Sequence, residues 1–202
     1  QSIVMEKKNF FSVQNIIIEN NFIIEEKKIR GKLEKIYKKN IFLINKKDIE
    51  KPLKTIDFFE KVEVRKKYPN EVYLKIFETK PIAIIIKNKK KYILDSSSKL
   101  IIFEEKMTFD QLPSIFGKEA EKYLVKFFNL LRSNNFSIKK IKNYYYFQIG
   151  RWDVHLKNDK IIKFPHDNIE NAIKKSIELL DHKEFENYNI IDLRVSGKII
   201  VE

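Results

Sequence analysis

The chain has 202 residues, 43% of them hydrophobic, enough for one or two domains with real cores and too apolar for a disordered chain. It carries 41 basic against 28 acidic residues, a net charge of +13, but only five of the basic residues are arginine and the lysines are scattered. Such scatter reads as biased composition rather than as a focused nucleic-acid stripe. The absence of cysteine excludes disulfides and cysteine metal sites, and no run reaches the roughly 18 apolar residues of a membrane span.

In chain order, Val13, Ile16 and Ile18 mark an apolar strand. A helix is expected over 25–37, with Ile29, Leu33, Ile36 and Tyr37 on one face and acidic residues at its front. Residues 42–44 read as an extended link. Asn45 then caps a shorter helix carrying Ile49, Leu53 and Ile56, which Pro52 is expected to distort. Val62 and Val64 alternate in one strand, Tyr68-Pro69-Asn70-Glu71 turns the chain, and Val72, Leu74 and Ile76 alternate in the return strand. The order so far is β-α-α-β-β.

From Pro81 onward strands dominate. They are expected at 82–87 and 92–95, around a lysine-rich turn, and at 100–103. Residues 112–117 read as a loop before a helix over 118–132, whose Ala120, Tyr123, Leu124, Phe127, Phe128 and Leu131 form a wide apolar stripe. Strands follow at 136–141, 144–149, 152–156 and 160–164. A second helix then starts at Asp167 or Asn168, with Ile169, Ala172, Ile173, Ile177 and Leu180 at helical spacing. The sequence ends in a strand over 188–194, a turn at Ser196-Gly197 and a strand over 198–201.

Groupings that could carry chemistry are sparse. His155, His166 and His182 each stand alone, and His155 shares a strand face only with Asp153, short of the three or four ligands a metal needs. No serine sits in a nucleophile-elbow setting and no glycine-rich loop follows a strand. In Tyr144-Tyr145-Tyr146, beside Lys139, Lys140 and Lys142, alternation lets only Tyr144 and Tyr146 share a face, which suits a half-buried sheet strand better than a base-stacking platform. The reading is therefore of a chain with no catalytic, cofactor-binding or metal-binding residues.

The β-α-α-β-β unit is the POTRA topology, and its closing hairpin resembles one family in detail. FtsQ/DivIB cell-division proteins carry an aromatic pair, alternating residues with an Arg, a turn Pro, a second alternating strand, a Glu and Pro-x-Ala. This chain has Phe58-Phe59, Val62, Val64-Arg65, Pro69, Val72, Leu74, Ile76, Glu78 and Pro81-Ile82-Ala83. Farther on, Tyr92-Ile93-Leu94-Asp95, Leu112-Pro113 with Gly117, and Ile191-Asp192-Leu193-Arg194 with Gly197 are similar to the family's later motifs. Asn20-Asn21 and Ser98 replace two expected glycines, Val195 stands where many members have Tyr, and the final Trp region is absent.

The resemblance implies an α+β chain: a stub over 1–10 behind a missing membrane anchor, a POTRA domain over 11–79, and over 80–202 a β domain with a curved, mainly antiparallel sheet and two main helices. It implies a single-pass inner-membrane protein of the divisome, with this region in the periplasm at the division septum and no enzymatic role. The implied partners are the FtsB–FtsL pair, bound chiefly by β-strand addition at the last strand, with no nucleic acid and no small-molecule substrate. The partner-binding residues would be Arg151, Arg194, Val195, Ser196, Gly197, Lys198, Ile199, Ile200 and Val201. The uncharged run Ile199–Val201 suits pairing at an exposed edge, while Arg194 could equally be structural, paired with Asp192. A POTRA-bearing secretion or outer-membrane assembly factor is the alternative, although the second half is short and helical for a barrel. A basic nucleic-acid binder is a further one, recognisable by a steep salt dependence.

Overall fold

The computed structural model describes residues 10–109 and 111–202; the stub expected over 1–10 lies, apart from Phe10, outside them. Two compact units divide at Lys80/Pro81.

In the first unit, strand β1 (Asn15–Glu19) leads to helices α1 (Glu26–Lys32) and α2 (Lys46–Leu53), then strands β2 (Phe59–Lys67) and β3 (Glu71–Glu78). The sheet order is β1-β3-β2, with β1 parallel and β2 antiparallel to the central β3. The alternation of Val72, Leu74 and Ile76 puts all three on the buried face, with Ile16 from β1 and Val62 from β2. Ile29 of α1 and Ile49 and Leu53 of α2 belong to the same fully buried set. Asn45 and Asp48 form a capping box, each side chain accepting the other's backbone N–H at 3.0 Å.

Two motif residues of this unit find a physical role. Asn20, where the resemblance leads one to expect a glycine at Asn20-Asn21, takes a left-handed φ of 66° and donates from its side chain to the Ile76 carbonyl at 2.7 Å. The Glu78 carboxylate accepts the backbone N–H groups of Phe22, Ile23 and Ile24 at 2.9–3.0 Å, tying the loop after β1 to the end of β3.

The second unit is a nine-stranded sheet of β4 (Pro81–Lys87), β5 (Lys90–Asp95), β6 (Leu100–Ile102), β7 (Ser114–Phe116), β8 (Ile141–Phe147), β9 (Arg151–Leu156), β10 (Ile161–Lys163), β11 (Ile190–Asp192) and β12 (Ile200–Val201). Their spatial order is β12-β11-β10-β9-β8-β7-β4-β5-β6; three of the eight pairings, β11–β10, β8–β7 and β7–β4, are parallel. Helices α3 (Leu124–Ser133) and α4 (Ile169–Asp181) supply Leu124, Phe127, Leu131, Ile173 and Leu179 to a core with Tyr144, Trp152, Val154, Ile162 and Ile191. Phe127 lies flat on Trp152, 5.1 Å between ring centres. Full burial of each such side chain is worth about 1.5–3 kcal/mol. Ser98, the other glycine replacement, has a φ of 67°. Gly117 has a φ of 117°, and a methyl group there would overlap the Tyr146 carbonyl oxygen, so glycine is needed on both counts.

Several expected elements come out differently. The helix expected over 25–37 ends at Lys32, just past Gly31, and continues as a 3₁₀ turn over Glu34–Ile36 that still buries Leu33 and Ile36. The extended link at 42–44 is instead a 3₁₀ turn over Ile41–Leu43, capped by the Asn40 side chain accepting from Phe42 N. Pro52 falls one residue before the end of α2 and is followed by its stop. The loop expected at 112–117 contains β7, a strand inside the sheet. The helix expected over 118–132 is delayed to Leu124 by a left-handed Glu119 and a 3₁₀ turn over Ala120–Lys122. The strand expected at 136–141 is a 3₁₀ turn over Ile138–Lys140, and β8 runs Ile141–Phe147 rather than 144–149. The last two strands shorten to Ile190–Asp192 and Ile200–Val201.

Candidate partner-binding edge

Strand β12 ends the sheet, so one row of its backbone groups faces away from β11. It is antiparallel to β11, with Ile191 opposite Val201 and Asp192 opposite Ile200. Beyond them Asn189 N and Ile190 N both donate to the Glu202 carbonyl, at 2.7 and 2.9 Å, and Glu202 N returns a bond to Ile190 O at 3.2 Å. The reversal is closed by Lys198 N donating to Val195 O at 3.1 Å, with Gly197 at a φ of 75° in the third position, where a type II turn favours glycine. Val195, Ile199 and Ile200 are exposed, as are Ser196, Gly197 and Lys198; Val201 is half-buried. The reversal and the start of α4 enclose a groove of about 780 Å³, lined by Pro165, Ala172, Leu193, Val195 and Ile199 among others.

Arg194 turns back onto Asp192. Its Nε donates to both carboxylate oxygens at 2.8 and 2.9 Å, and its backbone N–H donates to Oδ1 at 3.0 Å. The Arg194 side chain holds the Asp192 carboxyl below its ordinary pKa, aided by that backbone N–H and opposed by burial. The same bonds raise the Arg194 guanidinium. The structure therefore gives Arg194 the structural contact with Asp192 while leaving it exposed.

Arg151 sits on β9, three strands from β12, roughly 14 Å at 4.8 Å per strand. Its side chain is 12% exposed, lies over the Phe147 ring at 4.1 Å, and approaches Asp153 at 3.5 Å. Its Nε and Nη1 and the Asp153 Oδ1 have no hydrogen-bond partner among the described residues. Burial pushes the Asp153 carboxyl up, against the pull of Arg151, Lys163 and Arg194.

Register joins these residues. Phe116, Tyr145, Asp153, Lys163, Asp192 and Ile200 stand opposite one another in succession from β7 to β12, on one face. Phe116 stacks on Tyr145 at 4.9 Å, and the charges then alternate in sign up to an apolar residue at the edge. In the sequence Asp153 stands out only beside His155, and nothing marks Lys163. The alternation Arg151, Asp153, His155 was a usable signal for this face, but the pairing across β10 and β11 depends on register. Among the described residues no group of three side chains is placed to hold a metal, and no helix is long and apolar enough to cross a membrane.

A β-α-α-β-β unit followed by a mixed sheet with a free terminal edge defines a POTRA-bearing protein with a β domain. Two family models match in that order: the FtsQ-type POTRA domain over residues 11–79, and the C-terminal region of cell division protein FtsQ/DivIB over 83–194. The chain belongs to the FtsQ/DivIB family. Among its relatives, cell division protein FtsQ of Rickettsia bellii is 31% identical over 195 residues, covering 95% of this chain and 72% of that protein. Cell division protein DivIB of Clostridium tetani is 23% identical over 209 residues, covering 88% and 73%. The solved extracytoplasmic domain of Geobacillus stearothermophilus DivIB aligns at 13% identity with a TM-score of 0.36, over 48% of this chain and 86% of that one.

Proposed function

We propose that this chain is the extracytoplasmic part of a divisome scaffold that recruits FtsB- and FtsL-type proteins by β-strand addition at residues 197–202. The protein acts by binding rather than by chemistry, as a single-pass protein of the inner membrane with this region in the periplasm at the septum. The observation that carries the reading is the position of β12 at the end of the sheet, with Ile199 and Ile200 exposed and uncharged. A partner strand would satisfy the outward backbone groups and place an apolar side chain beside Ile200, extending the transverse row by one residue. Arg194, whose side chain is exposed, would meet acidic or carbonyl groups of the partner flanking that strand, whereas Arg151, three strands away and nearly buried, would be reached only by a part of the partner crossing the sheet face. The FtsQ-type family match favours this scaffold over the secretion or assembly-factor alternative.

The test is binding of the FtsB-type periplasmic segment to the chain with Ile200→Asp or Ile200→Pro. Affinity is expected to fall at least tenfold, about 1.4 kcal/mol or more, while Trp152 fluorescence stays native. Unchanged affinity in both variants defeats the proposal.

A further inference from the structure

One pole of the first unit carries an exposed aromatic ladder that the edge strand does not use. Phe10 meets Phe11 edge-on at 5.1 Å, Phe11 meets Phe42 at 5.2 Å, and Phe42 stacks on Tyr68 at 5.0 Å. These rings come from three separate segments, brought together because Ile41 N donates to Phe11 O and Ser12 bridges Asn40. Phe10 and Phe42 are each 56% exposed, Tyr68 55% and Leu43, in the same 3₁₀ turn as Phe42, 70%. Tyr68 lies at the β2–β3 turn, roughly 23 Å along β3 from Glu78.

Lysines flank the ladder residues in sequence. Lys38, Lys39, Lys46, Lys47, Lys66 and Lys67 all lie within five residues of Phe42 or Tyr68. Three have acidic counterparts: Lys39 with Asp48 at 3.5 Å, Lys46 with Glu50 at 3.9 Å and Lys67 with Glu71 at 3.0 Å. Lys38, Lys47 and Lys66 form no salt bridge among the described residues, so the segments that carry the rings keep a positive excess.

Aromatic rings and a leucine on lysine-rich segments are what a water–lipid interface selects: rings settle at headgroup depth, and lysines pair with anionic headgroups for about 1 kcal/mol each. With about 150–250 Å² per aromatic side chain, the exposed fractions sum to roughly 400–500 Å². That is about half of the ~800 Å² each partner gives to a standard protein interface. A second copy would also bring a like charge of +13. We infer that this pole is a docking surface for an anionic lipid bilayer, reached by Phe10, Phe42, Leu43 and Tyr68 and steadied by Lys38, Lys47 and Lys66.

The experiment is co-sedimentation of the 202-residue chain with vesicles of 70:30 phosphatidylcholine and phosphatidylglycerol, against phosphatidylcholine alone. Binding to the anionic vesicles is expected, and Phe42→Ser, Leu43→Ser and Tyr68→Ser together weaken it at least tenfold. Neutralising the lysines at the tip of the β4–β5 hairpin, with Lys89→Gln, Lys90→Gln and Lys91→Gln, is expected to weaken it less than threefold. In a Phe42→Trp variant the added fluorescence shifts to the blue and is quenched by brominated lipid, above the constant background of the buried Trp152. No binding, a triple serine variant that binds like the parent, or an unmoved Phe42→Trp emission overturns the inference. So does a concentration-dependent dimer that the triple variant abolishes, since it assigns the pole to a second copy. None of these readouts involves Ile200 or a protein partner.

Discussion

Glu78 offers a direct test of how a motif residue holds the first unit together. Its Oε1 accepts from Phe22 N at 2.9 Å, Ile23 N at 3.0 Å and Ile24 N at 2.9 Å, and its Oε2 accepts from Ile23 N at 3.0 Å. Replacing it with alanine frees three N–H groups in a loop with no strand partner. A hydrogen bond to a charged group nets about 1.5–3 kcal/mol when buried, and water competes here because Phe22 is exposed. Allowing about 1 kcal/mol for each donor gives roughly 3 kcal/mol for Glu78→Ala. Tenfold per 1.4 kcal/mol turns that into about 100-fold faster amide exchange at Phe22, Ile23 and Ile24. Glu78→Gln keeps one carbonyl oxygen and loses the charge, so an intermediate rise of about 5- to 30-fold is expected, 1–2 kcal/mol. Hydrogen exchange measured by NMR reads these amides individually, with the core amides of β3 as the internal reference. If Glu78→Ala changes exchange at the three amides by less than about threefold, the carboxylate is not what fixes the loop.

Two further predictions concern the second unit. Because Asp192 titrates lower in the folded chain than unfolded, its contribution is full above the unfolded value of about 3.9 and disappears as pH falls through the lower folded one. Asp192→Asn is therefore expected to cost about 1–2 kcal/mol at pH 7, discounted for the exposed Arg194, and progressively less as pH falls below about 3.9. Thermal unfolding of both chains across that range gives the gap, and a constant gap contradicts the pairing. Tyr144 is fully buried, its hydroxyl has no partner among the described residues, and burial pushes that hydroxyl's pKa well up. Tyr144→Phe is expected to be neutral or to stabilise by up to about 1 kcal/mol, whereas Tyr144→Ala loses about 3–5 kcal/mol. Urea unfolding followed by Trp152 fluorescence distinguishes them, and a loss above about 1 kcal/mol for phenylalanine would mean the hydroxyl has a partner.

Much of this fold was legible where side-chain period and burial coincide. Val72, Leu74 and Ile76 alternate and are buried, and Asn45 caps a helix as its side chain dictates. What escaped was decided by distant partners. Ser114–Phe116 follows Pro113 and shows too few residues for a period, yet it is a strand because β4 and β8 stand on either side of it. The start of α3 moved because Glu119 adopts a left-handed φ of 60°, which nothing in a glutamate announces. The edge strand was legible from its uncharged run and its turn glycine. The transverse row was not, because Asp153, Lys163 and Asp192 meet only through register. Lysines beside Phe42 and Tyr68 were visible one by one, but the ladder joins segments more than twenty residues apart.

The three-residue strand β7 carries a consequence for how the second unit assembles. Neighbours β4, β5 and β6 pair through short antiparallel turns, as do β8, β9 and β10, so each group can form from local contacts. Among the described residues only β7 splices them, and its parallel pairings join Ile84 to Ser114 and Ser114 to Asn143, thirty and twenty-nine residues apart. Closing those loops costs chain entropy before the sheet returns any of it. Entry of Ile115 into the core is thus expected to come after the β4–β6 and β8–β10 hairpins, in company with the equally distant parallel pairing of Ile161 with Ile190. A lesion at that strand would stall the chain as a pair of hairpin clusters with their inner edges open.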